Sequence, residues 1–84
     1  VDFWATWCPP CRAMAPLLEQ FAEDKGVDVV KIDIEKTPEN GALAQQHGVR
    51  GIPNMQLYKD GKVVDTIVGM TPLSGLREVA KAHL

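Results

Sequence analysis

The chain contains two cysteines, Cys8 and Cys11, and two prolines separate them in the run Trp7-Cys8-Pro9-Pro10-Cys11. Three chemistries suit such a pair: half of a zinc site, a structural staple, or reversible thiol–disulfide exchange. Zinc needs four ligands. Beyond the cysteines the soft donors are His47 and His83, which are not paired and fall late in separate predicted helices. Closing so short a loop removes little chain entropy, so a staple would stabilise little. Exchange needs a thiolate and a second thiol close enough to resolve a mixed disulfide. A helix start meets both needs. Its unpaired N–H groups and positive dipole end favour a thiolate at Cys8, and Cys11 lies one turn further on. Redox exchange is therefore the favoured reading, with Cys8 expected as the exposed, acidic attacker and Cys11 as the buried resolver.

The flanking pattern supplies the elements. Residues 1–6 are an apolar, β-prone run. A helix is expected from Pro9 or Pro10, with Met14, Leu17, Leu18 and Phe21 as its apolar stripe, a kink at Pro16 and a stop at Gly26. Val27–Ile34 alternates as a strand. Thr37-Pro38 opens a second helix that runs to about His47, and Thr71-Pro72 repeats that opening for the last one. Asn54–Tyr58 and Lys62–Val68 form a hairpin through Asp60-Gly61. The order β-α-β-α-β-β-α predicts an α/β fold: a mixed four-stranded sheet flanked by helices, its first two strands parallel.

Composition bounds the rest. With 84 residues, one domain spanning 1–84 is the sensible count, and its stability is marginal. A net charge of −2 without a basic stripe gives no sign of a nucleic-acid partner. No apolar run approaches the ~20 residues that span a bilayer. Gly41, Gly48 and Gly51 do not make a nucleotide-binding loop after a strand. No bound metal or organic cofactor is expected, only a redox-active Cys8–Cys11 disulfide. The chain opens at Val1 already inside a strand, so a leader or further domain upstream is expected to be missing. Asp2 interrupts the first apolar run. A carboxylate buried there resists ionisation, and a group poised nearer neutrality can trade a proton with a thiol.

Five segments carry a resemblance: Val1–Cys8, Lys31-Ile32-Asp33, Val49–Pro53, Lys59–Lys62 and Val68-Gly69. In this order they resemble the thioredoxin family across essentially the whole chain. The resemblance implies that Cys8 is the nucleophile and Cys11 the resolving thiol, with Asp2 and Lys31 as a buried aspartate and its lysine partner. It implies a cis-proline at Pro53, opposite the cysteines. Trp7, Ile52, Pro53, Gly69 and Met70 are expected to form the substrate-binding surface. It further implies an enzyme that reduces protein disulfides and is itself re-reduced by a flavin-containing reductase using NADPH, a thioredoxin reductase.

Three departures qualify this. Pro9 stands where the family usually has glycine. Cys-Pro-Pro-Cys resembles periplasmic and membrane-tethered reductants, so an extracytoplasmic place is the alternative to the cytoplasm. Asn54 stands where threonine is usual, beside the expected substrate strand. The family's first strand and helix are absent. That leaves the Val27–Ile34 strand as an open sheet edge, with lower stability or self-association as the expected consequence. The competing functions are an oxidase or isomerase, whose relatives usually carry histidine where Pro10 stands, and a non-catalytic binding module.

Overall fold

The computed structural model describes all residues, 1–84. In chain order the elements are β1 (Asp2–Trp4), α1 (Pro9–Lys25), β2 (Lys31–Asp33), α2 (Pro38–Gln46), β3 (Asn54–Lys59), β4 (Lys62–Val68) and α3 (Leu73–His83). One sheet runs β2-β1-β3-β4. β1 pairs parallel with β2 and antiparallel with β3, and β3 pairs antiparallel with β4. The expected α/β fold is therefore present.

The first two strands are shorter than their alternation suggests. β2 is confined to Lys31–Asp33, because only this stretch runs alongside the three residues of β1. One bond at each end extends the contact: Asp2 N donates to Val30 O at 2.8 Å, and Ile34 N donates to Trp4 O at 2.9 Å. The hairpin turns at Asp60 and Gly61, whose φ angles are 54° and 79°. Two successive left-handed residues match the right-handed strand twist, and glycine reaches that region without a Cβ penalty.

α1 is a single helix through Pro16 and ends on Gly26 at φ 64°. Met14, Leu18 and Phe21 on its stripe join Met55 of β3 and Leu76 and Ala80 of α3 in the main core. α3 begins at Leu73 with Pro72 as its N-cap and no side-chain cap bond. The Thr71 hydroxyl donates instead to Gly69 O at 3.2 Å. Thr37 caps α2 as expected, its hydroxyl accepting from Asn40 N at 3.1 Å.

β3 alternates, so Met55 enters the core beneath α1 and α3 while Gln56 and Tyr58 face the end of α2. There Gln56 Nε2 donates to His47 O at 3.3 Å, which turns Gln56 Oε1 toward His47 Nδ1 at 3.1 Å. Tyr58 Oη lies 3.2 Å from the same nitrogen. An amide oxygen only accepts, so Nδ1 carries the proton. His47 is thus tied into the sheet rather than idle at a helix end.

Candidate active site

The two cysteines sit where β1 hands over to α1. Cys8 is the N-cap, with φ −91° and ψ 105°, and its sulfur accepts from Cys11 N at 3.2 Å. Pro9 and Pro10 fill the first two helical positions. Neither has an N–H, so Cys11 is the first residue of the helix able to donate toward Cys8 Sγ. The two sulfurs are joined in a disulfide, with the Cα atoms 5.2 Å apart. No three His, Cys, Asp or Glu side chains converge into a metal-holding group.

Cys8 is not the exposed member of the pair. It is 3% exposed and Cys11 1%. Ala5 completes the cluster, and Trp4, Ile34 and Ile52 pack against it. Cys8 Sγ also lies 3.8 Å from the Ile52 carbonyl oxygen. Local helix position sets the direction of the sulfur, but the distant loop carrying Ile52 covers it.

That loop contains a cis peptide bond between Ile52 and Pro53, as the resemblance implied. Pro53 O accepts from Gly69 N at 2.8 Å, which ties the end of β4 to the proline. Thr71 N donates to Met14 Sδ at 3.4 Å and fixes the next loop to α1. Trp7 and Met70 are 60% and 52% exposed. Sequence reasoning missed Val68, which is equally open at 60% and stands over Gly51. Alternation along β4 gave no sign of it, because the residue becomes a surface feature only where the strand leaves the sheet.

Asp2 is not a frayed terminal residue. It is 1% exposed, and neither carboxylate oxygen has a hydrogen-bond partner. It lines an apolar cavity of about 400 Å³ with Leu18, Phe21, Met55 and Leu76. Desolvation raises its pKa, and the charge of Lys31 opposes that rise. Lys31 pairs with Asp2 in the β1–β2 register. It is itself exposed, with Nζ 4.6 Å from the centre of the Trp4 ring, a cation–π contact. Asn54, just past the cis-proline, is 4% exposed with an unpartnered Oδ1.

Comparison with known proteins agrees with this geometry. The thioredoxin family profile matches residues 1–82. Thioredoxin 1 of Synechococcus elongatus is 44% identical over 84 residues, covering 100% of this chain and 78% of that protein. Thioredoxin of Staphylococcus aureus is also 44% identical, over 86 residues that cover 100% of this chain and 80% of its own length. Among solved structures, a mutant thioredoxin from Halobacterium salinarum superposes with a TM-score of 0.88 at 39% identity, over 98% of this chain and 70% of that one. With its cysteine pair at the head of α1, the chain belongs to the thioredoxin family and is a protein thiol–disulfide oxidoreductase.

Proposed function

We propose that the chain works as a reductant of protein disulfides, with Cys8 as attacker and Cys11 as resolver. The observation that carries this is the Cys11 N–H aimed at Cys8 Sγ from 3.2 Å at the head of a helix. A donor in that position favours the sulfur anion. The Cys8 thiolate attacks a substrate disulfide, forms a mixed disulfide and expels one substrate thiolate. Cys11 gives up its proton and attacks Cys8 Sγ, expelling the second substrate thiolate. Two electrons pass to the substrate, and the Cys8–Cys11 disulfide remains.

Asp2 receives the proton from Cys11 in this scheme, and its burial without partners supports the role. Lys31 tempers the rise in the pKa of Asp2. Trp7, Ile52, Pro53, Gly69 and Met70 receive the substrate segment. The exposure of Trp7 and Met70 supports this. A flavin-containing reductase using NADPH returns the pair to the dithiol. The cytoplasm is the proposed place of action, and no helix is long and apolar enough to cross a membrane.

Insulin-disulfide reduction in dithiothreitol tests the reading. The wild-type chain is expected to accelerate precipitation of the insulin B chain, and Cys8→Ser to give none of that acceleration. Equal, low activity in both would favour a non-catalytic scaffold. Alkylation of the reduced protein at varied pH orders the thiols: Cys8 is expected to react faster than Cys11, because the helix head and the Cys11 N–H favour its anion. Faster reaction at Cys11 would reverse the assignment.

A further inference from the structure

Met14 is wholly buried on α1, one helical turn past Cys11 and on the same face. It packs with Leu18, Phe21 and Leu76 in the main core. Leucine would fill that space about as well, since exchange of the two side chains nearly conserves volume. What methionine adds is a thioether sulfur, a weak hydrogen-bond acceptor. That sulfur has a donor from far along the chain: Thr71 N lies 3.4 Å from Met14 Sδ.

The donor belongs to the loop between β4 and α3. Gly69 N donates to Pro53 O at 2.8 Å, and the Thr71 hydroxyl turns back to Gly69 O at 3.2 Å. Pro72 follows and has no N–H to offer. The Thr71 N–H is therefore the last backbone donor before α3 that can tie this loop to the body of the molecule. The Thr71 methyl group also lies against the first turn of α3, where a Cβ on Gly75 would come within 2.7 Å of it. Met70 stands between the tethered residues and is half exposed, so the backbone on either side holds it rather than burial. Without the sulfur, the Thr71 N–H would face apolar side chains unpaired, and the loop would relieve that cost by moving toward water.

We infer that Met14 is a positioning residue for disulfide exchange: its sulfur holds Thr71, and through Thr71 it keeps Gly69 and Met70 where the substrate segment docks. This deepens the reductant reading and rests on it. The helix that carries both cysteines also carries the anchor of this loop, so cysteines and loop keep one spacing. Met14 is buried away from the substrate and acts only through Thr71.

The test compares Met14→Leu with Met55→Leu. Both remove a sulfur from the same core cluster, but only the sulfur of Met14 accepts a hydrogen bond. Both exchanges nearly conserve volume, so both variants are expected to fold. In insulin reduction by dithiothreitol, Met14→Leu is expected to raise KM about two- to fivefold with kcat unchanged, the scale of one weak hydrogen bond lost. Met55→Leu is expected to keep the wild-type KM. Reduction of 2-hydroxyethyl disulfide, a substrate too small to need the loop, keeps its rate in both variants. Deuterium exchange at the Thr71 amide, measured against the amides of α1, is expected to be about two- to fivefold faster in Met14→Leu alone. An unaltered KM in Met14→Leu, equal shifts in the two variants, or unchanged exchange at Thr71 overturns the assignment. A fall in kcat together with the small-disulfide rate would place Met14 in the cysteine chemistry and overturns it too. If the wild-type chain reduces neither disulfide, the reductant reading fails and the positioning role with it, even where the Thr71 amide still reports the tether.

Discussion

Asp2 shows how one side chain links stability to chemistry. Its burial raises the folded-state pKa above the ordinary aspartate value of about 4. The folded chain therefore holds a proton that the unfolded chain has already released. As pH climbs from about 4 through the folded value, this group withdraws stability, and above that value the full penalty stands. In urea unfolding, Asp2→Asn is expected to lose this slope. Its stability relative to wild type should improve as pH rises from 3 to 8, because only the wild type then carries an ionised, buried carboxylate. An unchanged slope would mean that Asp2 ionises freely. The same substitution is expected to slow resolution of the mixed disulfide on the order of 100-fold, as loss of general base catalysis does. Rates equal to wild type from pH 6 to 9 would remove the proton-transfer role.

At the scale of elements, α1 carries most of the positional burden. Its N-terminus holds Cys8, its buried stripe anchors the core, and its C-terminus stops at a left-handed residue. A Cβ at Gly26 would meet no atom within 4 Å, so a side chain there is penalised by backbone conformation alone. Gly26→Ala is expected to destabilise the chain by about 1–2 kcal/mol, read as a lower urea midpoint with unchanged slope. The disulfide-exchange rate should hold, because the far end of the helix is what changes. The prolines at the N-terminus act in the opposite sense: they begin the helix without spare donors and leave the Cys11 N–H to the sulfur.

For the whole molecule, the open question is the sheet edge. β2 has β1 on one side and no strand on the other. Val30, just before it, is 54% exposed. An unpaired edge next to exposed apolar surface favours pairing between copies. Sedimentation equilibrium at micromolar concentration is expected to give a mass above that of one chain, and Val30→Lys to return a monomer, since an edge lysine resists pairing. A monomeric wild type would end the self-association idea. The edge would then bear only on stability.

The sequence by itself determined what depends on neighbours along the chain: seven elements in order, the hairpin at Asp60-Gly61, the cap at Thr37, the helix stop at Gly26, and the thiol pair at a helix head. Caps, turns and amphipathic stripes are written within a few residues, so spacing reveals them. The cis bond at Pro53 was expected from resemblance, not from spacing. Tertiary structure alone decided how deeply Cys8 lies under Ile52 and how Gln56 and Tyr58 hold His47 across nine and eleven residues of chain. It also decided that β2 keeps only three paired residues. Burial and pairing depend on which distant segments pack together, and that information does not lie in any short stretch of chain.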